Sequence, residues 1–186
     1  VRSRRQRQMC IRDRINPAAR TTCVKPSGNA SVLLQTASGI HAEHSDMYIR
    51  NVQMNKESEI TQAIMKQNPY MVEESVWSST GTDVVVSFPI LPKKGSMYKD
   101  DLLGIKHLEL VKKAQKHWVE TGTNEDLCAD KGIRHNVSNT IIVDDWDDVE
   151  KYVYENRNAF AGISFLAMTG DKDYNQAPNT GVIDAK

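Results

Sequence analysis

The segment from Lys25 to Ser31 (KPSGNAS) contains residue types suited to binding an anion. It follows a stretch rich in β-branched residues at 21–24, which predicts a strand, and it leads into a predicted helix over 30–35. Backbone N–H groups at a helix start have no acceptor within the helix and lie at the positive end of its dipole. Gly28 lets a ligand approach the backbone closely, and serine hydroxyls are further donors. The pattern therefore predicts a phosphate-binding turn, formed by Ser27, Gly28, Asn29, Ala30 and Ser31.

The same turn has a simpler interpretation, in which it ends a strand and caps a helix. Ser27 and Asn29 are both residue types that favour the N-cap position. The Walker spacing G-x-x-x-x-G-K-[ST] is missing, so spacing alone does not select phosphate binding. Both interpretations stay open at this point.

A second group of polar residues follows in His41-Ala42-Glu43-His44, with two imidazoles and a carboxylate. A metal site would need further ligands at a fixed geometry. We therefore interpret this group as a polar loop at the rim of a site.

A predicted strand over 136–143 has one polar face, because Asn136, Ser138 and Thr140 alternate along it. This face either meets solvent or lines a polar site, as in a barrel that holds a substrate. The acidic run 144–148 after it is typical of a solvated helix start rather than of a metal site.

The cysteines give no sign of a redox pair. Cys23 lies in a predicted strand, where a buried, inert thiol is the favoured interpretation. Cys128 lies among acidic residues, which disfavour a thiolate. Neither has a partner at C-x-x-C spacing, so the sequence shows no catalytic cysteine pair.

The elements that position these residues alternate between strands and helices. Besides the elements above, strands are predicted over 48–54, 83–90 and 162–168, and helices over 56–67, 105–120 and 144–158. The helix over 105–120 has an inner stripe formed by Leu108, Val111, Gln115 and Trp118. The run 83–90 (DVVVSFPI) is continuously apolar, which favours a sheet covered on both sides. Together these patterns predict an α/β fold with parallel strand pairing.

Composition sets the broad class of protein. With 186 residues, of which 39% are apolar, the chain can form one domain or a piece of a larger one. No apolar run is long enough to cross a membrane. Three cysteines favour a reducing, cytoplasmic location. Zero net charge, from 24 basic and 24 acidic residues, argues against a nucleic-acid partner.

The first 14 residues differ from the rest, because they contain six arginines and one acid. A disordered arm that contacts phosphates or a targeting peptide would explain the arginines, although no apolar targeting core is present. However, Met9-Cys10-Ile11-Arg12-Asp13-Arg14 is similar to the translation of a transposase adapter used in sequencing libraries. We interpret residues 1–14 as non-native and expect the native N-terminal part to be missing.

Several motifs together, in this order along the chain, resemble one family. They are TCVKPSGNAS at 22–31, SGIHAEHS at 38–45, ESVWS at 74–78, RHNVSNT at 134–140, GISFL at 162–166 and NQAP at 175–178. The combination resembles the catalytic chain of adenosylcobalamin-dependent (class II) ribonucleotide reductases, and within them the relatives of the monomeric triphosphate reductases. The resemblance covers roughly residues 15–183.

The resemblance implies that residues 15–186 are the C-terminal portion of an incomplete ten-stranded α/β barrel. It implies reduction of ribonucleoside triphosphates by a thiyl radical started from adenosylcobalamin, with a thioredoxin-like protein as the reductant. A diphosphate reductase of the same class, or a non-catalytic phosphate-binding α/β module, is the alternative.

The resemblance also assigns residues within this sequence. Ser27 to Ser31 match the segment that holds the substrate's phosphates, with Asn29 where many members have Thr; its side-chain amide can still donate to an anion. The radical and redox cysteines of the family lie outside this sequence, and Cys23 and Cys128 match neither role. We therefore expect this chain alone to be catalytically inactive.

Overall fold

The computed structural model describes residues 4–168 and 174–182. The helices are α1 (Arg4–Asp13), α2 (Asn29–Leu34), α3 (Glu59–Gln67), α4 (Gly104–Ala114) and α5 (Trp146–Glu155). The strands are β1 (Tyr48–Asn55), β2 (Val72–Glu74), β3 (Asp83–Ile90), β4 (Ile141–Val143), β5 (Phe165–Ala167) and β6 (Asn179–Gly181). A π-helix, Gln115–Glu120, continues α4. None of the helices in these two ranges is long and apolar enough to span a bilayer.

The chain divides into two compact units. In the described residues, the first unit comprises 4–41 and 100–168, and the second comprises 42–99 and 174–182. The origin of residues 1–14 stays a prediction, which the helical conformation of 4–13 does not test.

The core of the first unit is formed by α4 with its π-helical continuation, α5 and β4, and β5 pairs with β4 at its edge. The two strands are parallel, with Ile141 opposite Phe165 and Val143 opposite Ala167. The fully buried cluster consists of Leu108, Val111, Val119, Val137, Ile141, Val143 and Val149. This parallel pair confirms the predicted α/β character of the first unit.

The inner face of the helix after Gly104 differs from the prediction in one residue. Leu108, Val111 and Gln115 are buried as predicted, but Trp118 is 56% exposed and Val119 is buried instead. The π-helix explains the difference, because its i→i+5 hydrogen bonds accommodate an extra residue in the turn. The inward position therefore moves from residue 118 to 119.

The second unit contains a four-stranded sheet in the order β2-β3-β1-β6. All three pairings are antiparallel, so the parallel pairing predicted for 83–90 is wrong. Val84, Val85 and Val86 are nonetheless buried, as the apolar run predicted. A continuous apolar run predicts that a strand is buried but does not predict its direction. A buried antiparallel strand needs the same apolar residues as a buried parallel strand.

The strands predicted around the phosphate turn are shorter than expected or absent. No strand is assigned to 21–24, although the backbone N–H of Ser138 donates to the carbonyl of Val24 at 3.0 Å. Only 141–143 of the predicted 136–143 and only 165–167 of the predicted 162–168 are strand. A single backbone hydrogen bond between two segments does not make a paired β-strand. No closed barrel is present in the described residues, and the ten-stranded barrel stays a prediction.

Candidate phosphate-binding site

The predicted phosphate turn is closed by a reciprocal pair of hydrogen bonds between two serines. The Ser27 hydroxyl accepts from the backbone N–H of Ser31 at 2.9 Å, and the Ser31 hydroxyl donates to the carbonyl of Ser27 at 3.0 Å. Ser31 is buried as a result. Both serines therefore shape the turn, and direct donation from the Ser31 hydroxyl to an anion would require breaking its bond to Ser27.

The residues between the two serines are open. Gly28, Asn29 and Ala30 are exposed, and a Cβ at Gly28 would meet no atom within 4 Å. Within residues 4–168 and 174–182, no acceptor is recorded for the backbone N–H groups of these three residues. The N-cap of α2 is Gly28, which makes no side-chain capping hydrogen bond, so the predicted capping by Ser27 or Asn29 is wrong. The Ser27 hydroxyl instead accepts from the Ser31 amide, and this bond leaves the amides of Gly28, Asn29 and Ala30 open.

The loop that follows α2 contacts the turn at Ser27 and at the two residues before it. The Ser38 hydroxyl donates to the carbonyl of Ser27 at 2.7 Å. Gly39 has φ +64°, and an added Cβ would lie 2.9 Å from the carbonyl oxygen of Lys25 and 3.0 Å from Cα of Pro26. This close backbone approach requires glycine.

The predicted polar loop His41–His44 makes contacts with other side chains of the protein. His41 lies against His107, with ring centroids 5.6 Å apart at 84°. Glu43 accepts a hydrogen bond from the Tyr48 hydroxyl at 3.2 Å in the second unit. No group of three or more His, Cys, Asp or Glu residues that could hold a metal ion occurs in the described part of the chain.

Sequence reasoning missed His107, because a histidine on an amphipathic helix gives no signal of its partner. Its side chain is 3% exposed, and its Nε2 has no hydrogen-bond partner. Loss of hydration lowers the pKa of His107, and the neighbouring His41 lowers it further, whereas a hydrogen bond with the backbone of Ile40 opposes this. His107 therefore favours the neutral form.

This burial predicts a pH-dependent opening of the loop around residues 38–41. Since the folded pKa lies below the unfolded value of about 6.5, His107 contributes its full stability above that pH. The contribution is lost as the pH falls from there towards the lowered folded pKa, because the unfolded state then binds more protons. Hydrogen exchange of residues 36–41 and 104–111, corrected for intrinsic rates, should show weaker protection at pH 5 than at pH 7.5.

The control variant for this experiment is His107→Leu, which has no titrating group at this position. Its protection should change less over the same pH range than that of the unaltered protein. Equal pH dependence in both proteins would contradict the assignment to His107.

The strand segment with the predicted polar face alternates as expected. Asn136 and Thr140 are exposed, whereas Val137 and Asn139 are buried. The Asn139 amide donates to the carbonyl of Gly162 at 3.2 Å, and its oxygen accepts from the backbone of residue 164 at 3.3 Å. The buried amide thus takes over part of the pairing that a longer β4–β5 ladder would supply.

Cys23 is exposed, so the prediction that it packs in a core is wrong. The reason is local, because residues 21–24 are not a paired strand and bring no second layer over the thiol. Cys128 is half-buried and lies 3.7 Å from the guanidinium of Arg20. Neither thiol has a cysteine partner among the described residues.

A cavity of about 670 Å³ lies in the first unit between residues 18–22 and 117–125. This volume suits a drug-sized ligand. It is too small for a corrin ring with its nucleotide tail. This cavity therefore does not fit cobalamin.

The fold of the chain is that of part of a class II ribonucleotide reductase. A crystal structure of a B12-dependent (class II) ribonucleotide reductase superposes on 96% of this chain with a TM-score of 0.72 at 20% sequence identity. The match covers 23% of that protein. It shows the fold alone.

Curated relatives point to a particular kind of reductase. The chain is 32% identical over 106 residues to a probable adenosylcobalamin-dependent ribonucleoside-triphosphate reductase of Dictyostelium discoideum. It is 26% identical over 122 residues to an adenosylcobalamin-dependent ribonucleoside-triphosphate reductase of Euglena gracilis. These matches cover 57% and 66% of this chain, and 14% and 16% of the relatives. No protein-family model matches the chain.

The resemblance inferred from the motifs is thereby confirmed: the chain is similar to adenosylcobalamin-dependent ribonucleoside-triphosphate reductases. It spans about a seventh of the length of these curated relatives.

Proposed function

We propose that this chain is part of an adenosylcobalamin-dependent ribonucleoside-triphosphate reductase, in which residues 27–31 bind the substrate's phosphates. Two relatives with this name and a shared fold support the reaction class. The open amides of Gly28, Asn29 and Ala30 support the role of the turn, and they are the observation on which the binding proposal rests.

The proposed reaction replaces the 2′-hydroxyl of a ribonucleoside triphosphate by hydrogen. The hydroxyl leaves as water, and a dithiol supplies two electrons and becomes a disulfide. Adenosylcobalamin, when bound to the complete enzyme, supplies the radical that starts the reaction through a cysteine thiyl. A thioredoxin-like protein would restore the dithiol, which places the reaction in a reducing compartment such as the cytoplasm.

In this proposal the chain's own contribution is binding and orientation. The three open N–H groups would donate to phosphate oxygens, and the Asn29 side-chain amide would add a further donor. The bonds between Ser27 and Ser31 would hold these donors in place before the substrate arrives. Donors fixed in advance bind at a lower entropic cost than donors on a mobile loop.

The sharpest test changes the charge beside these amides without changing the fold. Gly28 has φ −76° and ψ −65°, which any residue can adopt, and the space around it is open. Gly28→Asp would place a carboxylate where the phosphate binds. Two like charges at about 4 Å repel by roughly 1–4 kcal/mol near a protein surface, so KM for a ribonucleoside triphosphate should rise at least about fivefold.

The matched control is Gly28→Asn, which has nearly the same volume without the charge. Asp and Asn are both favourable N-cap residues, so neither variant should destabilise α2. KM measured in the complete enzyme with adenosylcobalamin should therefore separate the two variants. Equal KM values for Asp, Asn and Gly at position 28 would refute phosphate binding by this turn.

The same assay tests the reaction and its substrate. Deoxyribonucleotide formation should require adenosylcobalamin and should proceed from triphosphates. Reduction of diphosphates instead would favour the diphosphate alternative. No reduction of either substrate by the complete protein would refute the reaction.

A further inference from the structure

We propose that His41 is a positioning residue for the phosphate turn and acts on it through Ser38. The inference rests on the proposed function of residues 27–31. It goes beyond that function because His41 contacts none of the three open amides. It would hold the turn through Ser38, which bonds to Ser27.

The first link runs from His41 to the turn. Nδ1 of His41 lies 3.0 Å from the carbonyl of Ser38, and the hydroxyl of Ser38 donates to the carbonyl of Ser27 at 2.7 Å. A carbonyl can only accept, so Nδ1 must carry the proton. His41 therefore fixes the position of the residue that holds the turn.

The second link ties His41 to the core of the first unit. The backbone N–H of Thr140 lies 3.1 Å from Nε2 of His41. Because this N–H can only donate, Nε2 must be the unprotonated nitrogen. Thr140 directly precedes Ile141, which is fully buried at the start of β4. The turn is thus connected to a strand of the core through the His41 imidazole.

The third observation is the packing that keeps the His41 ring in this orientation. His107 is buried on α4, meets the His41 ring edge to face, and makes its own hydrogen bond with the backbone of Ile40. Gly39 brings the same loop against Lys25 and Pro26. Residues 38–41 are therefore held by side-chain and backbone contacts, including the bond of 3.2 Å from the His41 backbone N–H to the Ser38 carbonyl, and the His41 side chain adds the two polar links to Ser38 and Thr140.

This arrangement predicts an effect on substrate affinity without an equal effect on the chemical step. His41→Phe keeps an aromatic ring against His107 but removes both hydrogen bonds. In the complete enzyme, KM for a ribonucleoside triphosphate should rise by about tenfold, while kcat falls by less than about threefold. The inhibition constant of inorganic triphosphate, used as a competitive inhibitor, should rise in parallel.

Conservative variants show which link carries the effect. His41→Asn can place an amide N–H near the position of Nδ1 and should recover most of the lost affinity. His41→Gln places its amide closer to the position of Nε2 and should recover less. Ser38→Ala should raise KM as His41→Phe does, and the double variant should be little worse than either one, because both interrupt the same connection.

The control is Ser96→Ala, which removes a hydroxyl-to-carbonyl hydrogen bond of 2.7 Å to Lys93 in the second unit and should leave KM unchanged. The inference is overturned if His41→Phe and Ser38→Ala leave KM unchanged while Gly28→Asp raises it, or if they lower kcat with no change in KM. If Gly28→Asp also leaves KM unchanged, the proposed function itself fails. Should His41→Phe not fold, His41→Gln and Ser38→Ala make the same comparison.

Discussion

Replacing Gly39 by alanine is expected to raise KM for the nucleotide at least about tenfold. Two costs add at this position. A residue with a Cβ at φ +64° costs about 1–2 kcal/mol, and forcing atoms into a filled space costs a further 1–3 kcal/mol or so. The new methyl group would lie 2.9 Å from a backbone oxygen, so Lys25 and Pro26 must shift. Since these residues lead directly into Ser27, the displacement would reach the proposed phosphate donors.

Gly81→Ala is a matched control for the backbone strain. Gly81 has φ +65°, nearly the same as Gly39, but a Cβ there would meet no atom within 4 Å. This variant should show a stability loss of about 1 kcal/mol and an unchanged KM. The difference between the two variants therefore isolates the close contact at Gly39. Comparable KM values in both variants would contradict a supporting role for the loop after α2.

The sequence predicted the turn and its helix well, because the signals there are local. A serine and a glycine before a short apolar run predicted the helix start, and α2 begins at Asn29. The acidic start of α5 was equally local, since the Asp145 side chain accepts from the amides of residues 147 and 148. Both depend on contacts between near neighbours in the chain.

Features that depend on distant partners were predicted poorly. β3 pairs antiparallel with β1, a partner that lies elsewhere in the chain. The apolar run 83–90 carries no information about the direction of that partner. The shift from Trp118 to Val119 follows from a π-helix, whose hydrogen bonds leave no mark in the hydrophobic spacing. The extended residues 21–24 show the same limit, because β-branched side chains permit a strand but do not supply its partner.

The candidate site divides in the same way. Residues 27–31 were found because their order along the chain is itself the signal. The hydrogen bond between His41 and Thr140 joins residues 99 positions apart. The contact between His41 and His107 joins a loop and a helix that are also far apart along the chain. Sequence reasoning therefore predicted the turn and placed His41 in a polar loop at the rim of a site, but it did not predict the bonds of His41 to Ser38 and Thr140.

Truncating Leu108 should produce a large loss of local stability in the first unit. The side chain is fully buried on α4, in the cluster that contains Val111, Ile141 and Val149. Leu108→Ala removes buried apolar atoms and leaves a cavity, which typically costs about 2–5 kcal/mol. Amide hydrogen exchange in the complete enzyme should show faster exchange in α4 and β4 by about thirtyfold or more.

Leu91→Ala is the matched control, because it deletes the same atoms from a side chain that is 79% exposed. Its effect on exchange should stay within about 0.5 kcal/mol, as for most surface substitutions. Because β4 also holds Thr140 in place for His41, the loss of protection caused by Leu108→Ala should extend to residues 38–41. Protection that falls in α4 while β4 and residues 38–41 stay unchanged would show that this core does not support the turn.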